Sequence, residues 1–233
     1  MNPLAIEPLG EDALLLRLDR RIDPAVNARV HALAQRLQDA RLPWLRELVP
    51  AYASLALCLD PRMPLEAAMD AVRALLDDDD GPTPMHPATP APVIEIPVCH
   101  APAFAPDLDA LAARAGLDRA GAIALHCAGE YRVAMTGFAP GFPYLLGLDP
   151  RLATPRLATP RPRVAAGSVA IGGAQTGVYP REGPGGWHLV GRTPLTLFDP
   201  GREPSCLLPP GTRVRFVAID EARFHALAGG VAP

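Results

Sequence analysis

The chain of 233 residues contains no lysine; all 22 of its basic residues are arginine. A Walker A phosphate loop needs its lysine to reach the outer phosphates. A Schiff base to pyridoxal phosphate needs one too, and so does a covalently carried biotin or lipoyl arm. Any nucleotide must therefore be bound without a P-loop lysine, or by another chain. The four cysteines, Cys58, Cys99, Cys127 and Cys206, form no CxxC unit. Redox and zinc motifs thus lack support, and reduced, buried thiols are expected. No HxH or HExxH spacing occurs, so no metal site is expected. Neither a GxSxG elbow nor a Ser/His/Asp set is recognisable. The net charge of −3 leaves no electrostatic footprint for nucleic acid. No apolar run reaches the length of about 18 residues that marks a membrane span. At the start, MNPLAIEPLGEDALLLRLDR breaks its hydrophobics with charges. That argues against a secretory signal, and a cytoplasmic chain is expected.

What the chain does have is periodicity, and it changes along the length. Residues 1–80 read as a small α+β domain. Ala13 to Leu18 is an apolar run of strand length. Asp23 and Pro24 form a helix start, a capping side chain followed by proline at the first helical position. Val26, Val30, Leu33 and Leu37 then share one helical face. Leu45 to Tyr52 and Ser54 to Leu59 are further strand-like runs. Pro64 opens a second helix with Leu65, Met69, Val72 and Leu75 on its inner side. Two helices on one face of a mostly antiparallel sheet bury those stripes. The acidic run Asp77 to Asp80 reads as a solvated helix end. Residues 81–92, GPTPMHPATPAP, are proline-rich, favour extended geometry, and read as a linker.

Residues 93–233 read as a mainly β domain. Val93 to Val98 alternates, Asp107 to Ala115 is a short helix stopped by Gly116, and Asp118 caps another through Cys127. From Glu130 onward the period is two. Tyr131 to Thr136, Ser168 to Ile171, Trp187 to Gly191, Leu195 to Phe198 and Arg213 to Ile219 are short strands separated by Gly and Pro clusters. Such punctuation predicts a closed or nearly closed β-barrel. RLATP occurs twice in succession, at 151–155 and 156–160, and reads as an extended surface loop.

The chemistry concentrates between Thr136 and Pro200, where glycine, proline and aromatic residues crowd together. Strict alternation puts His188 and Arg192 on one face of a strand, about 13 Å apart. His188 suits proton transfer near neutral pH, and Arg192 suits a carboxylate or phosphate. Glu182 is a candidate acid/base partner for His188. Gly173, Gln175 and Thr176 in GGAQTG offer backbone N–H groups, an amide and a hydroxyl to an anionic or amide-bearing small molecule. Tyr179 adjoins them. Arg161 and Arg163, separated by Pro162, project alike in an extended chain. Phe142, with Phe138 and Tyr144, could line a pocket or meet a partner chain.

GFAPGFPYLLGL, PRPRVAAGSVAIGGAQTGVYP and GPGGWHLVGRTP together resemble the family of allophanate hydrolase subunit 1. That family also takes in the B subunit of 5-oxoprolinase and the sporulation kinase inhibitor KipI. The resemblance covers nearly the whole chain, PLGEDALLLRL included. Ala165 departs from it, standing where the pattern has proline. The resemblance implies a ferredoxin-like N-terminal domain and a cyclophilin-like barrel, without implying prolyl isomerase activity. It implies one component of an ATP-dependent 5-oxoprolinase that opens a cyclic amide to glutamate, inactive alone, with ATP and Mg used in the assembled complex. Two partners are implied. One is a second cyclophilin-like subunit, resembling allophanate hydrolase subunit 2 or the C subunit of 5-oxoprolinase. The other is the LamB/YcsF-type A subunit. Two further activities are compatible. One is the carboxyltransferase half of a urea carboxylase-type system, with biotin on another chain. The other is KipI-like inhibition of a sensor histidine kinase.

Overall fold

The computed structural model describes residues 4–77 and 92–229. The chain divides into two compact units, Met1–Ala91 and Pro92–Pro233. The expected linker lies outside the described residues except for Pro92, as does the acidic run beyond Asp77.

In the first unit the elements are β1 (Ala5–Pro8), β2 (Ala13–Arg17), α1 (Pro24–Asp39), β3 (Leu45–Pro50), β4 (Ser54–Leu59) and α2 (Leu65–Asp77). The four strands form one antiparallel sheet in the order β1-β2-β4-β3. Leucines alternate inward along β2 (Leu14, Leu16) and β4 (Leu55, Leu57, Leu59). They meet Val26, Val30 and Leu37 of α1 and Ala68 and Val72 of α2 in a single core. The Asp23 carboxylate accepts the Ala25 and Val26 amides, as its position before Pro24 predicts, a cap worth about 1 kcal/mol. Buried Asn27 donates its side-chain amide to the carbonyls of Ala51 and Tyr52, tying α1 to the β3–β4 turn. The element order is ββαββα, not the βαββαβ of a ferredoxin-like domain. The difference is β1, a strand with little sequence signal; placed after α2 instead, it would restore that order.

The second unit is built on β5 (Val93–Cys99), α3 (Leu108–Arg114), α4 (Arg119–Ala128), β6 (Tyr131–Thr136), β7 (Pro143–Leu146), β8 (Arg161–Val164), β9 (Ser168–Gly172), β10 (Gln175–Val178), β11 (Gly183–Gly185), β12 (His188–Arg192), β13 (Arg213–Ile219) and α5 (Glu221–Ala228). Seven strands close into a barrel in the order β10-β7-β6-β13-β5-β12-β9. All its pairings are antiparallel except β13 with β5. Val133, Leu145, Val169, Ile171, Val178, Val214 and Phe216 belong to one core, joined by Leu108, Leu111 and Ala122 of α3 and α4. Ala170 sits between Val169 and Ile171 and faces the other way. It belongs to a second cluster on the outer wall with Phe142, Val164, Tyr179, Trp187 and Leu189. The two-stranded ribbon β8–β11 supplies Val164 to that cluster.

Leu195 to Phe198 is not a strand. Pro194 removes a ladder donor, the Leu195 amide turns to the Thr193 hydroxyl, and only Phe198 makes a bridge, to Cys206. Strands β7, β8, β10 and β11 carry too much glycine or proline, or are too short, to show a period. At Ala165, where the family pattern has proline, the chain makes a turn closed by the Ser168 amide on the Ala165 carbonyl. Gly167 takes φ +79° at its third position, and a Cβ there would collide with the Thr193 carbonyl oxygen. Only glycine fits this turn.

Candidate functional site

The expected pairing of His188 with Arg192 fails because β12 is bulged. Leu189 pairs with Ala170, but Gly191 pairs with Val169, so Val190 is an extra residue. An inserted residue shifts the phase of every later side chain. His188 therefore lies opposite Ile171, which faces the barrel core, while Arg192 lies opposite Ser168 on the other face. Arg192 donates Nε–H to the Ala166 carbonyl, and its guanidinium rests 5.7 Å from the Phe104 ring and 5.9 Å from that of Phe224. It anchors a turn and α5. His188 donates Nε2–H to the Pro155 carbonyl at 2.9 Å. That bond fixes the tautomer and leaves the Nδ1 lone pair available.

The groups freed by the bulge are taken up by side chains. Asp107 accepts the Leu189 amide through one carboxylate oxygen (2.7 Å) and Arg161 through the other (2.6 Å), while its own amide donates to the Leu189 carbonyl. The Val190 carbonyl accepts His100 Nδ1–H. Arg161 is thus committed to Asp107, largely buried, and Arg163 pairs with Glu182 in solvent at 2.7 Å. The two arginines do not act as a pair, and Glu182 is engaged away from His188. Asp107 had no motif to mark it; it read only as the start of a helix.

Thr176 and Gly173 are also occupied. Thr176 is fully buried; its hydroxyl donates to the Ala170 carbonyl and meets His126 Nε2 at 3.1 Å. Gly173 exchanges both backbone hydrogen bonds with Thr154. Gln175 opens β10 on the opposite face from Thr176, and no described group takes up its side-chain amide. Phe142 and Tyr179 are buried in the outer cluster, and burial raises the Tyr179 phenol above its ordinary pKa.

That outer cluster carries the most unusual local geometry in the unit. Trp187 lies flat on Gly172, where a Cβ would come within 2.6 Å of the indole. Phe142 and Tyr144 meet the Trp187 ring edge to face, at 5.6 and 5.8 Å. Phe142 also closes on Gly177. Phe138 packs edge-on against Phe142 and Tyr179, yet is 62% exposed. Its φ is +66°, and the Ala139 amide bonds the Gly137 carbonyl across it at 2.7 Å. This is a γ-turn of the rare, strained hand, with a phenylalanine where glycine would be at ease. Such strain concentrates at working surfaces.

The loop from the second RLATP copy borders this cluster. It is held by Thr154 to Gly173, by the Pro155 carbonyl to His188, and by the Leu157 amide to the Gly186 carbonyl. Between these points Arg156 extends over Trp187, its guanidinium carbon 5.7 Å from the ring centroid. It is also close enough to Tyr144 and Tyr179 to stabilise their phenolates, opposing the upward push of burial. In the first copy Arg151 pairs with Asp149, two residues earlier. Two residues before Arg156 stands Thr154, and Arg156 has no acidic partner among the described residues. Comparing the two copies in the sequence could have singled out Arg156.

Other reactive side chains are quiet. His100 offers its Nε2 lone pair to Cys127 Sγ at 4.0 Å. Burial lowers the His100 pKa and raises that of Cys127, so the pair stays neutral and the sulfur is not a thiolate nucleophile. A groove bordered by Cys127, Glu130, Arg213 and Arg215 contains none of the expected residues, and both arginines there face glutamates. Among the described residues no group of three His, Cys, Asp or Glu is placed to hold a metal, and no helix is long and apolar enough to cross a membrane.

Comparison with known proteins places the whole chain. It is 40% identical over 228 residues to the B subunit of 5-oxoprolinase from Bacillus subtilis (strain 168), covering 95% of each chain. It is 44% identical over 213 residues to the protein of the same name in Escherichia coli O157:H7, covering 91% of this chain and 95% of that one. Among solved structures, the crystal structure of TTHA0988 superposes with a TM-score of 0.77 at 40% identity over 89% of this chain, which spans only 40% of that longer one. Residues 4–208 match the family described as carboxyltransferase domain, subdomain C and D, and to that family the chain belongs.

Proposed function

We propose that the chain is the B subunit of a 5-oxoprolinase, opening the lactam of 5-oxoproline to glutamate. The observation that carries this reading is the 40% identity, over 95% of each chain, with a protein of that name. The fold is consistent with a cyclophilin-like barrel, and the ferredoxin-like kinship of the first unit rests on a displaced β1.

A lactam is a poor electrophile, and phosphorylation of its amide oxygen at the expense of ATP would make water attack feasible. The nucleotide fits poorly on this chain. It has no lysine to reach the outer phosphates from a P-loop. ATP and Mg are therefore assigned to partner chains, a second cyclophilin-like subunit and a LamB/YcsF-type subunit, in the cytoplasm. This chain's contribution is the outer aromatic face. His188 lies on the other, core-side face of β12, where its Nε2–H on the Pro155 carbonyl steadies the loop that carries Arg156 and its Nδ1 can accept a proton. Gln175 can pair with an amide, while Phe142 and Tyr179 form the floor beneath Phe138.

The test is co-purification of the three subunits and measurement of ATP-dependent glutamate release from 5-oxoproline. Release by the assembly and none by this chain alone is expected. A folded assembly without release would refute the reading. The family description also fits a carboxyltransferase half; transfer of carboxyl from a biotinylated partner, with no glutamate release, would select it instead.

A further inference from the structure

We propose that Arg156 is the carboxylate-binding residue of the outer face, and that Phe138 and Tyr144 form the shelf on which a small planar-ring acid lies, with the buried Trp187 beneath the guanidinium. The identification of that acid with 5-oxoproline rests on the function proposed above. The preference for a carboxylate does not.

Three independent features converge on this assignment. The first is the cation. Ten other arginines face a carboxylate: Arg17, Arg21, Arg46, Arg73, Arg119, Arg151, Arg161, Arg163, Arg213 and Arg215. Arg156, like several others, faces none among the described residues; it is set over the Trp187 indole beside Tyr144 and Tyr179. A guanidinium over an aromatic face keeps its in-plane N–H groups directed outward, the fork that a carboxylate accepts. The second is the rigidity of its loop, fixed on both sides of Arg156 by backbone and His188 contacts. A side chain presented this way loses little freedom on binding. The third is Phe138. An exposed phenyl on a strained γ-turn is difficult to explain by folding alone, because glycine would relieve the backbone and the ring buries little.

The flat rings suit a flat ligand. Gly172 and Gly177 leave the strands bare, so Trp187 and Phe142 lie directly on the backbone and form a buried base beneath Phe138 and Tyr144. Gln175 begins β10 directly opposite Gly172. Its amide offers one donor and one acceptor to match a lactam, whose N–H and C=O lie side by side.

The test uses the assembled enzyme carrying Arg156→Ala, Arg156→Lys or Phe138→Ala, each first checked for an unchanged melting temperature. Arg156→Ala should raise KM for 5-oxoproline roughly 10- to 100-fold, the loss of one charged hydrogen-bonded pair, with kcat little changed. It should also abolish the preference for 5-oxoproline over 5-oxoprolinamide, which lacks the acid. Lysine should restore part of the preference. An unchanged KM and preference in an active Arg156→Ala complex would overturn the proposal. If the wild-type assembly releases no glutamate, the function proposed above has failed, and binding decides the site separately. The full chain with Trp44→Phe, leaving Trp187 as the only indole, is then titrated with 5-oxoproline and with the amide. Quenching by the acid alone, lost in Arg156→Ala, supports the carboxylate site. No acid-dependent quenching, or quenching that survives Arg156→Ala, sinks it.

Discussion

His126 allows a sharp prediction of how stability depends on pH. Its imidazole is 3% exposed, at the end of α4, stacked on Phe216 with centroids 4.6 Å apart. Thr176 has one hydroxyl proton and gives it to the Ala170 carbonyl, so it can only accept from His126. The ring is therefore the Nε2–H tautomer, and Nδ1 has no hydrogen-bond partner. Burial first, and the nearby His100 second, lower its pKa to about 3. The other groups around it are Tyr131, whose hydroxyl donates to the His126 carbonyl, and Cys127 next in the chain. In the unfolded chain the ring takes a proton near pH 6.5. Between those two values the unfolded state binds one proton more than the folded state, so stability falls as pH falls. From pH 7 to pH 5 the loss due to His126 alone is about 2 kcal/mol. That figure is set by the unfolded pKa and barely depends on the folded one while it stays below about 4. His100, also lowered by burial, adds in the same direction, so the difference between two proteins is the quantity to read. Urea unfolding of the full chain and of His126→Gln, followed by Trp187 fluorescence in a Trp44→Phe background, supplies it at both pH values. The wild type should lose about 2 kcal/mol more than the variant. Equal losses, or an NMR titration placing the ring near pH 6.5, would refute the reasoning.

Asp107→Ala removes the acceptor of the bulge amide and strands the Arg161 charge, and should cost about 2–4 kcal/mol in denaturant unfolding. A cost under about 0.5 kcal/mol would mean that the bulge holds itself. Gly167→Ala forces a Cβ against the Thr193 carbonyl at positive φ and should destabilise by more than about 2 kcal/mol, read as a fall in Tm. Glu182→Gln breaks only a solvent-exposed pair; Tm and glutamate release should both stay near wild type, and loss of turnover with intact folding would restore Glu182 as an acid/base group. Phe138→Gly relieves the γ-turn, so Tm should hold or rise while KM rises; a clear fall in Tm would make the ring a packing element.

The elements with strong periodicity were legible from sequence alone. Asp23-Pro24 announced α1, Tyr131 to Thr136 and Arg213 to Ile219 match β6 and β13, and the apolar runs Ala13 to Leu18 and Ser54 to Leu59 marked β2 and β4. The site was harder to read, for identifiable reasons. A strand pattern assumes a period of two, and one extra residue at Val190 was enough to part His188 from Arg192. Gln175 and Thr176 are neighbours in sequence but face opposite sides, one outward and one against His126. Asp107 acts on a residue 82 positions away, a separation over which local pattern carries no information. Positive φ at Phe138 could not be foreseen, because a phenylalanine carries none of glycine's signal for a left-handed turn.

The barrel closes through its only parallel pair, where β13 runs beside β5 from Arg213 opposite Val93 to Ile219 opposite Cys99. The first and last strands of the unit are thus each other's neighbours, and the family match ends at residue 208, before the last one begins. A ribosome must pass residue 219 before the ring of strands can be completed. Until then β5 and β6 wait with open edges, so a chain ended at residue 208 should emerge as a template for aggregation rather than as a smaller working protein.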